Sequence, residues 1–283
     1  MRRSKWIIII IGLGVLIGSG WWLLGHVTTQ KAQQVKQTEN EQPTFYLHGY
    51  GGSARSTDSM IKAAREQKNA TQVLTATVRK DGSVDLQGRW LAKTTRPIVQ
   101  VVFEDNRNPN YQQDGEWFKN VLVAVNRQHS FKRFNVAAHS MGNLTAVYYL
   151  LNHAIDKQLP RMAKMVNIAG HFDGIIGMDD QPNQNQVKKD GQPQKMNATY
   201  RQLMGLRNQL PAKSIAVLNI YGDLGDGTHS DGRVSNASSQ SLRYLVTPGA
   251  KTYQEKKFTG KKAQHSQLHE NHAVNQTVLA FLW

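Results

Sequence analysis

Phe134-Asn135-Val136-Ala137-Ala138-His139-Ser140-Met141-Gly142-Asn143-Leu144-Thr145-Ala146 runs from an apolar, β-branched segment through a turn of small residues into a row of good helix formers. That order predicts a strand, a sharp elbow and a helix, with Ser140 at the apex. Such a turn crowds the backbone and lifts the serine hydroxyl clear of the sheet, so it needs small residues on both sides. Ala138 and Gly142 supply them. The usual elbow reads G-x-S-x-G, and here alanine stands in the first glycine position. Five residues alone are weak evidence, and the flanking strand and helix carry the weight. The plain alternative is a buried turn in which Ser140 only caps the helix.

Around this elbow, 283 residues are enough for one sizeable α/β domain and an appendage. There are 0 cysteines, which excludes a disulfide framework and a thiolate zinc site. The formal charge of +15 points to anionic neighbours. The basic residues are scattered, with no nucleic-acid motif and no aromatic-interleaved strip, so anionic envelope polymers fit better than nucleic acid.

Arg2, Arg3 and Lys5 precede an uncharged stretch from Trp6 to Gly25 that is long enough to cross a bilayer. Basic residues before it and a polar domain after it predict a single-pass signal anchor, with the N-terminus inside the cell and the domain outside. No A-x-A site follows the apolar core; cleavage and secretion is the alternative. Residues 26–42 are rich in Gln, Thr, Lys and Glu and read as a flexible tether. The folded domain is expected over 43–283.

Thr44 to Leu47 reads as a buried strand entering His48-Gly49-Tyr50-Gly51-Gly52-Ser53, a glycine-rich turn that lets backbone N–H groups approach a ligand. Ser59 to Gln67 reads as helix, Thr71 to Arg79 and Ser83 to Trp90 as a hairpin about Asp81-Gly82, and Pro97 to Phe103 as a further strand. Trp117, Val121, Leu122 and Val125 recur at helical spacing. Beyond the elbow, Met162 to Ala169 and Ser214 to Tyr221 read as buried strands. Between them lies a polar insertion at about 171–211, read as a lid or as disorder. Tyr244 to Val246 and Thr252 to Phe258 read as short apolar or β-prone stretches, and a last helix carries Val274, Val278 and Phe281.

Acyl transfer by a serine requires a base to take the hydroxyl proton, a carboxylate to orient that base, and donors aimed at the developing oxyanion. Downstream of Ser140, Asp223 and Asp231 both follow the strand ending near Tyr221, and spacing does not choose between them. His265 and His269 stand one helical turn apart just before the last helix, so in a helix only one would face the serine. The acidic loop misses the calcium-loop spacing. No metal or cofactor is expected.

The elbow Ala138-His139-Ser140-Met141-Gly142, together with His48-Gly49-Tyr50-Gly51-Gly52, resembles small secreted bacterial lipases. Those enzymes open an Asp-x-x-Val segment with the triad acid and a His-x-x-Leu segment with the base. Asp231-Gly232-Arg233-Val234 and His265-Ser266-Gln267-Leu268 match these patterns. Thr44 to Trp283, with the N-terminal segment, is still more similar to membrane-bound cell-surface α/β-hydrolases of Gram-positive bacteria. The resemblance implies the α/β-hydrolase fold, a mostly parallel sheet flanked by helices. It favours Asp231 over Asp223 and His265 over His269, and implies oxyanion donors on the backbone of Tyr50 and Met141.

The expected activity is hydrolysis of small or medium acyl esters. The hairpin and the polar insertion exceed the lipase pattern, and no apolar lid helix is evident. The rival expectations are a non-catalytic envelope-binding protein on the same fold, and an acyltransferase in which an envelope component replaces water.

Overall fold

Short runs of β-branched and aromatic residues build the centre of the molecule. In the computed structural model, residues 41–283 are described. Eight strands form one sheet: β1 (Thr44–Leu47), β2 (Thr71–Val78), β3 (Val84–Gly88), β4 (Pro97–Phe103), β5 (Arg133–His139), β6 (Arg161–Ile168), β7 (Ile215–Asp223) and β8 (Ala250–Thr259). Their spatial order is β3-β2-β4-β1-β5-β6-β7-β8. Every neighbouring pair is parallel except β2 and β3, the hairpin at one edge.

A parallel sheet must be covered on both faces, and its strands are therefore apolar on both sides. Alternation along β1 shows the division. Phe45 and Leu47 belong to one apolar cluster and Tyr46 to the other. The first cluster is covered by α2 (Tyr111–Gln128) and α3 (Met141–His153), which bring Phe118, Val121, Leu122, Val147 and Tyr149. The second is covered by α1 (Arg55–Lys68) and α8 (His272–Leu282) through Met60, Ile61, Val274, Val278 and Leu279.

Phe118, Phe134 and Tyr149 meet edge to face, with Phe118 to Tyr149 centroids 5.4 Å apart and Phe134 to Tyr149 6.0 Å apart. Phe45 joins them at 5.6 Å from Phe134. Such pairs add about 0.5–1.5 kcal/mol each beyond area burial. Here they lock the helix after the elbow to β1 and β5, the two strands that lead into the site.

Part of the stretch expected as an insertion at about 171–211 packs on the sheet. Residues 198–209 form α4 (Ala198–Leu203) and α5 (Leu206–Gln209), which bury Tyr200, Leu203 and Leu206 in the first cluster. Residues 173–197 lack an apolar core but are not left as disorder: side-chain hydrogen bonds hold their path. Asp173 accepts from the Asn197 backbone and from Asn185 Nδ2, both at 2.9 Å. Asp179 accepts from Asn197 Nδ2 at 2.6 Å. After α6 (Asn236–Gln240), Tyr244 to Val246 also departs from the β-prone reading and lies within α7 (Leu242–Val246). Leu242, Leu245 and Val246 are all buried, a helical spacing that a window of three residues hides.

No helix among the described residues is long and apolar enough to cross a membrane. The expected anchor at 1–25 and most of the tether at 26–42 lie outside the described residues.

Candidate active site

Ser140 stands between β5 and α3 with φ 51° and ψ −120°, a conformation that L-residues rarely adopt. Its surroundings hold it there. The Ser140 N–H donates to Ile168 O at 3.0 Å, and Asn143 Nδ2 donates to both Ser140 O and Ile168 O at 2.9 Å. Gly142 is required by contact with β1: a Cβ there would stand 2.8 Å from His48 O and 2.9 Å from Leu47 Cβ.

Two 3-10 turns, Lys261–Ala263 and His265–Glu270, follow β8 and carry the imidazoles to this elbow. His265 Nε2 lies 2.9 Å from Ser140 Oγ, and its Nδ1 lies 2.8 Å from Asp231 Oδ2. A carboxylate only accepts, so His265 carries its proton on Nδ1 and offers the Nε2 lone pair to the serine hydroxyl. Asp231 is 1% exposed and its other oxygen accepts from the backbones of Arg233 at 2.9 Å and Val234 at 2.7 Å. The His265 N–H donates to Asp231 O at 2.9 Å, which ties the two loops together.

The other two candidates are elsewhere engaged. Asp223 ends β7 and accepts from Gly225 N and Asn236 Nδ2, both at 2.9 Å, and from Lys257 Nζ at 3.3 Å. Burial opposes its charge, but these donors outweigh it and hold the carboxyl below its ordinary range. His269 packs its ring 4.4 Å from that of His139, and burial lowers its pKa. Both histidines reach the cavity, because the segment is a 3-10 turn and not the helix expected, and it is the hydrogen bond of His265 to Ser140 that separates them.

His139 makes a contact that sequence reading does not anticipate. Its Nε2–H donates to the His265 carbonyl at 3.0 Å, so the residue before Ser140 braces the backbone of His265. Burial, then the neighbouring His265 and His269, push its pKa well down, and it stays neutral.

On the other side of Ser140 is the glycine-rich turn. A Cβ on Gly49 would stand 2.9 Å from Ser140 Cβ, so glycine is needed for this approach. His48 donates from Nδ1 to Gly49 O at 2.8 Å and accepts from Phe103 N at 3.1 Å, which fixes its neutral tautomer and the start of the turn. Asn106 clamps the far side: its carbonyl accepts from Gly51 N and its Nδ2 donates to Gly52 O, both at 2.7 Å. The N–H groups of Tyr50 and Met141 donate to no other described residue, Met141 because it opens a helix.

Ser140 and His265 line a cavity of about 770 Å³, within the range of small-molecule sites. His171, after β6, joins them on the wall with its pKa lowered to about 4 by burial and by His265. Met178 of the polar excursion and Tyr50 reach the same cavity, with 74% and 64% of their surface exposed. Among the described residues no group of three or more His, Asp or Glu is placed to hold a metal ion.

A gene product from Listeria innocua has a solved structure similar to this one, with TM-score 0.77 and 26% identity over 85% of this chain and 93% of that one. A Lactobacillus plantarum protein named as a candidate cell surface hydrolase is similar at TM-score 0.67 and 21% identity, over 84% of this chain and 88% of that one. No curated protein shows significant sequence similarity to this chain. The sequence profile of the alpha/beta hydrolases of unknown function termed DUF915 matches residues 31–283, and the chain belongs to that family.

Proposed function

We propose that this protein is a serine hydrolase that cleaves carboxylic esters of small or medium acyl chains through an acyl-enzyme, at the outer cell surface. The observation that carries the reading is the unbroken hydrogen-bonded series from Asp231 through His265 to Ser140, with steps of 2.8 and 2.9 Å.

In this mechanism Ser140 Oγ attacks the ester carbonyl as its proton passes to His265 Nε2. Asp231 keeps the imidazole in its reactive tautomer and stabilises the imidazolium. The N–H groups of Tyr50 and Met141 receive the oxyanion, each such donor being worth roughly 3–4 kcal/mol in the transition state. His265 then returns the proton to the leaving alcohol. Water, activated by the same base, releases the acid. The strained elbow fits this role because it presents the hydroxyl without rearrangement.

The outer-surface location rests on Arg2, Arg3 and Lys5 followed by the uncharged Trp6 to Gly25, which together form a signal-anchor pattern. The +15 charge suits a neighbourhood of anionic envelope polymers.

The test is hydrolysis of p-nitrophenyl butyrate and labelling by a fluorophosphonate probe. Ser140→Ala should abolish labelling and reduce turnover by about 10³-fold or more with an unchanged melting temperature. Undiminished turnover in that variant would remove Ser140 from the mechanism. A folded parent chain that neither turns over nor labels would be a binding scaffold.

A further inference from the structure

The cavity at Ser140 carries a charge pattern that ester hydrolysis as such does not need. Arg107 and Arg233 both line it, and no aspartate or glutamate does, since Asp231 lies behind His265. Both guanidinium groups are exposed and form no ion pair with any described residue. Two arginines elsewhere are ion-paired, Arg79 with Asp85 and Arg243 with Glu255. An arginine on an open surface is ordinarily a solvated charge. These two come from separate loops and line the same cavity.

Each is also fixed to the site by its backbone. Arg107 follows Asn106, the residue that clamps Gly51 and Gly52, and its Nε lies 3.4 Å from where a Cβ on Gly51 would stand. Arg233 donates its N–H to the Asp231 carboxylate at 2.9 Å and accepts from Ile176 N at 2.9 Å. One cation therefore stands over the glycine-rich turn and the other beside the acid. Burial lowers the pKa of His139, His171 and His269, which line the same cavity, and among the described residues Arg107 and Arg233 are the only arginine or lysine side chains that do so. Fixed charges of one sign in a concave, partly desolvated site concentrate the opposite sign there.

We infer that this site selects esters that carry an anionic group, a carboxylate or a phosphate, held by Arg107 and Arg233 while the ester carbonyl lies at Ser140. The guanidinium fork suits both oxyanions by paired N–H donation, and lysine would reproduce the charge without that geometry. This inference rests on Ser140 being the nucleophile. It assigns Arg107 and Arg233 to specificity and gives them no part in bond making.

The test uses the full chain in detergent and three esters of matched length. These are neutral p-nitrophenyl valerate, mono-p-nitrophenyl glutarate with its charge on the acyl side, and 5-valeryloxy-2-nitrobenzoate, a p-nitrophenyl ester with a carboxylate on the leaving group. At low salt, kcat/KM for at least one anionic ester should exceed that for the neutral ester by about tenfold or more. The favoured ester identifies the side that bears the charge. The ratio of anionic to neutral kcat/KM should fall toward one in Arg107→Ala with Arg233→Ala, fall partly in the two Lys variants, and shrink at high salt. Because it is a ratio, a general loss of active protein does not move it.

Calorimetry of monobutyl phosphate binding to Ser140→Ala makes the result independent of turnover. Binding that disappears in the double arginine variant upholds the anion site even if no ester is cleaved, in which case the esterase reading fails alone. Equal rates on charged and neutral esters, or a preference that survives loss of both arginines, overturns the inference.

Discussion

Asp231 and Asp223 are of one chemical type and follow the same strand, and only their hydrogen bonds separate them. Asp231 spends one oxygen on two backbone N–H groups and turns the other to His265, so its carboxylate is both fixed and aimed. Asp223 is occupied by Gly225, Asn236 and Lys257, which ties β7 to the loop after it and to β8. Asp231→Asn should therefore lower turnover of an ester substrate by about 10³–10⁴-fold with little change in stability, because an amide favours the wrong imidazole tautomer. Asp223→Asn should instead cost about 1–2 kcal/mol of folding stability and leave turnover within a few-fold. Parallel ester assays and denaturant melts of the two variants would show the assignment reversed if the larger kinetic loss followed Asp223. Spacing could not rank these residues, since a loop can deliver either to the base. The match of Asp231 to an Asp-x-x-Val segment is what favoured it in the sequence. The contacts of His139 left no such trace, because its partner is a backbone carbonyl more than a hundred positions away in the chain.

The loop from β4 into α2 shows how one element tunes another. Asp114 sits in the first turn of α2 and is 1% exposed. It accepts from Asn108 Nδ2 at 2.8 Å with one oxygen, while the other oxygen is buried without a partner. Burial pushes this carboxyl up from 3.8 to about 7, with Asn108 opposing and Asp105 adding to the rise. The folded state then binds more protons than the unfolded one between pH 4 and 7, so stability from this group is present below that window and is lost as pH rises through it. Asp114→Asn imitates the protonated acid. It should raise stability at pH 8 by roughly 2–4 kcal/mol and flatten the fall between pH 4 and 7. Thermal melts across that range would contradict this if the parent and the variant ran parallel. Asn108 and Arg107 lie on the same loop, so its order bears on the wall of the cavity. Element existence was legible where an apolar run was continuous, as in Pro97 to Phe103, or one-sided and periodic, as in the helix of Trp117 and Val121. It failed at α7, where three apolar residues fit either period, and in the polar excursion, where hydrogen bonding between side chains replaces the apolar signal.

Across the whole molecule, the sheet brings four strand ends to one edge: the glycine-rich turn after β1, the Arg107 loop after β4, Ser140 after β5 and the acid turn after β7. Open α/β sheets place ligands at the carboxyl ends of their strands, where loops from neighbouring strands converge. β8, the last strand in the sheet order, exposes Lys251, Lys256 and Lys257, charges that discourage pairing of this edge with another strand. The proposed anchor makes a prediction at this scale. Protease added to intact cells that express the chain should remove the 43–283 domain while cytoplasmic proteins survive, and membranes washed in high salt should retain the full chain. Protection of the domain until the cells are lysed would contradict the outward orientation.

Local chemistry alone was enough to identify the strand, elbow and helix around Ser140, the glycine-rich turn after Leu47 and the continuous apolar runs of a two-sided sheet. Each depends on residues adjacent in the chain, through small side chains at a crowded turn and apolar periodicity at a buried face. The folded chain alone decided which carboxylate meets His265, that His139 braces His265, and that two arginines without ion pairs line one cavity. Those facts depend on distances between loops that strand order brings together, and strand order is a property of the packed sheet, not of any segment within it.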